Sequence, residues 1–349
     1  MVSSLKELIQ KDIVKIAKLP KMNSFSPEEV DGYTVTLIDH DYPGKTPSLW
    51  NTVYDSLTQS NPLHPKFRSV MVVADPTNIE VIFNALLSDE KYFGGGTGSG
   101  FKDIAAKYLR KVNHGALDQS SEVSGSVNII AKKNGKLVGF DTDAEGYAKG
   151  LEKEFGIESI NDKNIVVLGA GGVTSPIIYS LLKRSPRKLV ILNRTIGKAE
   201  RIVNNMKKLY PHLSDNLSFG GEDRIGTELK DAELVINTSN KGTAGEKLAK
   251  FSAFAKTTEE NLPNEDHMFN QGSEAEENIK GLSKKAIVSD INLVEDETTT
   301  IKIAKAYGIS RTQDGKPMMF FQAIPAFLHV HPNIISEGEL ENMMRKASF

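Results

Sequence analysis

The sequence predicts an α/β protein of two domains, the second built on a doubly wound parallel sheet. Three observations carry that expectation. The chain has 349 residues, more than one core usually organises. Short apolar runs alternate with helix-periodic segments through both halves, the pattern of parallel sheets. The third is local: an apolar run at 165–168 enters Gly169-Ala170-Gly171-Gly172-Val173-Thr174. A helix-like stretch at 177–183 and a second apolar run at 189–192 follow.

Strand, tight turn, helix, strand is a βαβ unit opened by a phosphate-binding turn of the Rossmann type. Gly169 and Gly171 match the first two glycines of G-x-G-x-x-G/A. One allows the sharp turn, and the other lets backbone amides approach a pyrophosphate at a helix N-terminus. Thr174 holds the third position, so helix and strand are expected to pack slightly further apart. Gly169, Ala170, Gly171, Gly172 and Val173 are the candidate pyrophosphate residues. After the second strand, Asn193 stands where NAD sites place an acid for the ribose 2′-hydroxyl. Arg194 follows with a planar fork suited to phosphate, then Thr195 and Lys198. That cluster points to NADP as cofactor.

Composition narrows the classes. Hydrophobic residues make up 39% and charged residues 25%, ordinary for a globular protein. With 43 basic and 45 acidic residues the formal charge is −2, giving no general attraction to nucleic acid or anionic membranes. There is no cysteine, which excludes disulfides, thiolate catalysis and cysteine metal sites. The seven histidines show no paired ligand spacing, so no metal is expected. No apolar run approaches the ~20 residues of a membrane span. The start of the chain lacks a signal-peptide pattern, making cytoplasm the default location.

In chain order, residues 1–30 read as a polar, helix-prone extension. Strand 33–38 leads to a turn-rich loop at 40–47, a helix at 48–57, a buried strand at 69–74 and a helix at 78–87. Residues 94–100 hold five glycines in seven positions, which reads as a loop or lid rather than a core strand. A helix at 103–112 comes next. Runs 126–131 and 136–140 flank Asn134-Gly135, the favoured two-residue hairpin turn, and a helix at 144–155 follows. Strands 232–236 and 286–290 bracket a polar, acidic stretch at 245–285, expected to be a surface insertion, partly disordered. A helix at 300–307, a turn at 313–315 and an apolar segment at 317–330 complete the chain.

Several separated stretches then converge. Gly169-Ala-Gly-Gly172 with Asn193-Arg-Thr195, Ser126-Val127-Asn128, Gly139-Phe-Asp-Thr-Asp143 with Gly146, and Gly315-Lys-Pro-Met318 through Gln322-Ala323 together resemble the shikimate dehydrogenase family over most of 33–330. Lys102 falls where that family has the lysine of P-x-K. The resemblance implies an N-terminal α/β substrate-binding domain and a C-terminal Rossmann NADP-binding domain, with the last helix returning to the first. We place these at 1–157 with 319–349, and 158–318. It also implies reversible NADP-linked reduction of 3-dehydroshikimate to shikimate, in aromatic amino acid biosynthesis.

Carried over, the acid–base pair is Lys102 and Asp143. Hydride delivery to a ketone requires a proton for the developing alkoxide, and a lysine beside a carboxylate supplies it. Asn128 and Gln322 would hold substrate hydroxyls, with Thr46 and Ser99 completing the substrate set. Thr238 and Gly315 complete the cofactor set. Substrate and nicotinamide are expected to meet between the domains. Read alone, Lys102 is a solvated helix-start residue, Asp143 an N-cap, Asn128 a hairpin edge residue and Gln322 a satisfied core amide.

The sequence departs from the family on the substrate side. The S-x-S-x-P-like loop reads Gly44-Lys45-Thr46-Pro47, losing one hydroxyl. The N-x-T-x-P-x-K loop reads Gly96-Thr97-Gly98-Ser99-Gly100-Phe101-Lys102. The expected tyrosine after Asp290 is Leu293. Quinate, an amino analogue of shikimate or a methylene-folate are therefore alternative substrates, and an NADP-binding sensor an alternative function. A monomer or homodimer acting on a small cyclic hydroxy acid is expected.

Overall fold

The computed structural model describes residues 3–17, 25–41, 44–98, 100–242, 251–256, 267–294 and 296–347. Ser99 and much of the 245–285 stretch lie outside them. In chain order the elements are α1 (Leu5–Gln10), β1 (Val14–Ile16), β2 (Gly32–Ile38), α2 (Thr46–Ser60), β3 (Phe67–Ala74), α3 (Ile79–Ser88), β4 (Tyr92–Gly96), α4 (Lys102–Lys111), β5 (Gly115–Leu117), α5 (Gln119–Ser124), β6 (Ile129–Lys133), β7 (Lys136–Phe140) and α6 (Asp143–Phe155). Then come β8 (Asn164–Leu168), α7 (Thr174–Leu182), β9 (Lys188–Leu192), α8 (Ile196–Leu209), β10 (Leu217–Gly220), α9 (Ile225–Glu228), β11 (Leu234–Asn237), α10 (His267–Lys280), β12 (Ile287–Asp290), α11 (Thr299–Ala306), β13 (Thr312–Gln313), α12 (Lys316–Val330) and α13 (Glu337–Met344). Two compact units result: 1–142 with 322–349, and 143–321. Among the described residues no helix is long and apolar enough to cross a membrane.

The first unit holds a mixed sheet in the order β1-β3-β2-β4-β6-β7-β5. β3, β2 and β4 run parallel, as βαβα alternation requires, while β6 turns antiparallel to β4 and pairs with β7 as a hairpin. Asn134 (φ 49°) and Gly135 (φ 72°) take the left-handed conformations that such a turn demands. β2 is buried along its whole length, as befits a central strand.

The glycine run is a correction to the sequence reading. Its first half is not a loop but β4, a buried strand between β2 and β6. Gly94 and Gly95 have φ of +145° and +149°, which side chains rarely adopt. A Cβ on Gly95 would lie 2.6 Å from the Val35 backbone nitrogen, and one on Gly94 would be 3.0 Å from Ala131 Cα. Glycine is present because the neighbouring backbones leave no room for anything else.

The N-terminal extension is likewise more than polar helix. Leu5 and Leu8 of α1 are buried in the first core, and β1 adds an antiparallel edge to β3. Three residues of β1 are too few to show a period. α2 and the C-terminal part of α12 meet in an aromatic cluster: Trp50, Tyr54, Phe67, Phe93, Phe327 and His331. Tyr54 Oη lies 2.8 Å from His331 Nε2. Burial holds His331 down to about 4, so the neutral ring shares a hydrogen bond with the phenol.

The second unit holds a parallel sheet in the order β10-β9-β8-β11-β12-β13, with α6 packed on α7. Arg184, two residues past the end of α7, fixes that packing, reaching Glu145 at 2.7 Å and Glu152 at 2.6 Å on α6. The expected polar insertion also needs correction. Within 245–285, residues 251–255 are buried, as are Ala275, Ile279 and Leu282, and most of them join the core over β11 and β12. The polar composition of their neighbours concealed a short apolar run.

Three outcomes follow. Gly95→Ala abolishes folding or costs more than about 3 kcal/mol in urea unfolding. Gly338→Ala, inside α13 with open space around its Cα, gains a few tenths to about 1 kcal/mol. His331 titrates near 6.5 when unfolded and near 4 in the fold. The unfolded chain therefore binds more protons between those values, and the fold loses up to about 3 kcal/mol as pH falls from 6.5 to 4. Thermal unfolding against pH tests this: His331→Gln flattens that decline, and an unchanged slope rejects the assignment.

Candidate active site

The glycine turn leaves β8 at Gly169, whose φ is +118°. A Cβ there would stand 2.7 Å from the Ser239 amide nitrogen, so the turn passes β11's end backbone to backbone. Three neighbours hold it. Gly169 N–H donates to Leu192 O at 2.8 Å. Ala170 N–H donates to Asn193 Oδ1 at 3.1 Å, while Asn193 Nδ2 donates to Thr195 O at 2.9 Å. Thr238 Oγ1 lies 2.8 Å from Thr174 Oγ1 and 3.2 Å from Gly169 O.

Thr174, the departure from the motif's third small residue, is therefore a fully buried hydrogen-bonding partner of Thr238. Gly171 and Gly172 are left exposed, and no atom lies within 4 Å of a Cβ built on Gly172. Val173 is half-buried and α7 begins beyond it. Arg194, Thr195 and Lys198 are exposed beside Asn193. Tight backbone, open glycine amides and outward cations together fit a dinucleotide with an extra phosphate.

Gly315 has a local packing role. A Cβ there would sit 2.9 Å from the Ile291 carbonyl carbon, so it serves a close crossing with the 291–292 backbone. Nothing places it at the glycine turn.

Residues missed in the sequence build the floor of this unit. Asp290 is fully buried and accepts from Asn237 Nδ2 at 2.9 Å and from Asn292 N at 3.0 Å. Burial pushes its carboxyl above the usual range, against those hydrogen bonds. Lys241, also buried, donates to Glu222 Oε1 at 2.9 Å and to Ala255 O. Burial pulls its ammonium down while Glu222 holds it up. An Asn-Thr-Ser end on one strand and a Ser-Asp end on the next were the only signals. Leu293, the expected tyrosine, is 50% exposed.

In the first unit, the strand ends converge differently. Thr97 N–H donates to Asn128 O at 2.9 Å, its hydroxyl donates to Val127 O, and Gly98 N–H donates to Leu37 O at 2.8 Å. Val127 N–H donates to Lys102 O at 3.0 Å, so half-buried Lys102, the first residue of α4, is tied by its backbone to the residue before Asn128.

Asn128 Oδ1 accepts from Thr142 N at 2.9 Å, and its Nδ2 donates to Thr142 Oγ1 at 2.9 Å and to Gln322 Oε1 at 3.3 Å. Thr142 Oγ1 lies 3.3 Å from Gln322 Oε1. The structure thus joins Asn128 and Gln322, and adds Thr142, which the Asp-Thr-Asp run contained without singling out. Thr46 is the half-buried first residue of α2, next to exposed Lys45. Asp143 opens α6 immediately after Thr142.

Sheet order 3-2-1-4-5-6 with a glycine turn on its first strand defines a Rossmann-type dinucleotide-binding α/β protein. The family model for Shikimate / quinate 5-dehydrogenase matches residues 151–241. A shikimate dehydrogenase (NADP(+)) of Pelagibacter ubique is 31% identical over 270 residues, 77% of this chain and 83% of that protein. The chain belongs to the shikimate dehydrogenase family. Its counterpart from Azorhizobium caulinodans is 27% identical over 252 residues, 72% of this chain and 75% of that one. A crystal structure of a shikimate dehydrogenase in complex with NADP+ matches 95% of this chain and 100% of its own, with TM-score 0.68 at 21% identity, a likeness of fold.

Removing one hydroxyl tests the turn. Thr238→Val leaves Thr174 Oγ1 short of its buried partner. It is expected to cost about 1–2 kcal/mol in thermal or denaturant unfolding and to weaken dinucleotide binding in titration calorimetry.

Proposed function

We propose that this chain is an NADP-dependent oxidoreductase acting on a CH–OH group, interconverting shikimate and 3-dehydroshikimate. The observation that carries the reading is the end of β9. Asn193 turns its side chain inward to the Ala170 amide and to Thr195 O, leaving no acid there, while Arg194 and Lys198 are exposed beside it. Those cations bind the 2′-phosphate, and the amides of 169–173 take the pyrophosphate. Thr238 supports the turn through Thr174. Gly315 completes the cofactor set.

NADPH, when bound, supplies the hydride. Lys102 protonates the carbonyl oxygen as it becomes an alkoxide and takes the proton back in the reverse direction, with Asp143 as its carboxylate partner. Asn128 and Gln322 orient substrate hydroxyls through the amide network that they share with Thr142. Thr46 and Ser99 contribute hydroxyls to the substrate's carboxylate side. The substrate domain is 1–157 with the C-terminal helices, and the compartment is the cytoplasm.

A related cyclic hydroxy acid such as quinate is the second reading. It is favoured by Gly44, which offers no hydroxyl, and by the exposed aliphatic Leu293. Buried polar sites discriminate strongly through such contacts.

NADPH absorbance with NADP+ and a panel of shikimate, quinate and analogues decides between them. Lys102→Ala and Asp143→Asn each cut kcat at least 100-fold on the active substrate. Arg194→Ala raises KM for NADP+ about tenfold or more while leaving that for NAD+ within about twofold. Tight NADPH binding without turnover of any panel member would reject the enzyme reading in favour of a sensor.

A further inference from the structure

Among the described residues of the second unit, six buried polar side-chain atoms find no hydrogen-bond partner within the protein, and four of them sit on three residues that pack together. These are the Tyr147 hydroxyl, the Ser289 hydroxyl and both amide atoms of Gln313. Tyr147 and Ser289 are wholly buried and Gln313 is 5% exposed.

Their convergence follows from the backbone. Ser289 on β12 and Gln313 on β13 are register partners in a parallel pair, so their side chains leave the sheet on one face. Gln313 Nε2 lies 3.5 Å from the place a Cβ would occupy on Gly150 of α6. Gly150 is three residues beyond Tyr147, on the same helix face. The Ser289 hydroxyl is near enough to Tyr147 to oppose the upward push of burial on its phenol, yet no hydrogen bond of normal geometry joins the two. Gly150 keeps that face of α6 bare, so the helix encroaches on these groups with no side chain at that position.

Orphaned buried polar atoms are scarce in native proteins, and four in one place call for a partner. The guest's chemistry is set by what surrounds it. Two hydroxyls and a primary amide offer several donors and several acceptors, which an apolar guest cannot use. Asp290, whose charge also raises the Tyr147 phenol, disfavours an anion. Its carboxylate is already held by Asn237 and Asn292, and no cluster of metal ligands exists among the described residues. A small neutral molecule that both donates and accepts fits: water. We propose that Tyr147, Ser289 and Gln313 form an internal hydration site, taking about one or two water molecules that bridge α6 to β12 and β13.

Crystals of the full chain, refined with ordered solvent, test this directly. Expected is a water within hydrogen-bond distance of Tyr147 Oη and of either Ser289 Oγ or the Gln313 amide. A dry site, or a Gln313 amide bonded directly to Tyr147 and Ser289, overturns the proposal. Thermal unfolding supplies a second readout. If water bridges these groups, removing one arm strands the others, and Tyr147→Phe and Gln313→Leu each lower Tm by about 3 °C. If the groups are simply unsatisfied, removing one relieves the fold. An unchanged or raised Tm in Tyr147→Phe, the variant least disturbing to packing, overturns it.

Discussion

The first unit depends on one steric constraint: β4 must pass between β2 and β6 with bare backbone. Positive φ at Gly94 and Gly95 and the approach to Val35 and Ala131 leave no space for a side chain. The consequence extends past the strand. Because β4 sits so close, Thr97 reaches the carbonyls of Val127 and Asn128, and Gly98 reaches that of Leu37. Those bonds fix where β6 starts and hence where Asn128 points its amide. From Asn128 the constraint passes through Thr142 to Gln322 on α12. A sheet contact has become the geometry of a polar network.

The second unit uses the same device at Gly169, and its polar side chains divide the labour. Asn193, Thr174 and Thr238 spend their hydrogen-bonding capacity on the turn itself. Their role is to hold backbone amides in place, which requires short side chains with fixed partners. Arg194 and Lys198 are exposed, where long flexible cations can meet a phosphate. A binding loop of this kind is preorganised by one set of residues and charged by another.

Much of this was legible because it is local. The βαβ run 165–192, the Asn134-Gly135 hairpin and the Asn193-Arg194 end each combine period and turn chemistry within a few residues. What stayed hidden required knowledge of neighbours. The glycines of β4 look like a loop until β2 and β6 are placed on either side. Residues 251–255 look like part of a polar insertion until Ile279 and Leu282 close over the same core. Thr142, Asp290 and Lys241 carry no motif of their own. Their significance comes from burial, which forces each polar group to find a partner and so reveals the network. Gly315 was marked by motif resemblance, and its close crossing with residues 291–292 became visible only with those neighbours in place.

Lys241 shows how burial and charge shape the cofactor half. A buried ammonium is costly unless paired, and Glu222 with the Ala255 carbonyl supplies the pair. Arg194 is close enough to press the same ammonium toward its neutral form. Two cations near one strand edge repel, and Glu222 is the counter-charge that opposes the downward push of burial on the Lys241 ammonium. The same bond to Ala255 ties the buried 251–255 run to the loop after β11. One ion pair thereby serves two ends: it anchors a segment that composition placed on the surface, and it offsets the positive field that Arg194 imposes on its surroundings.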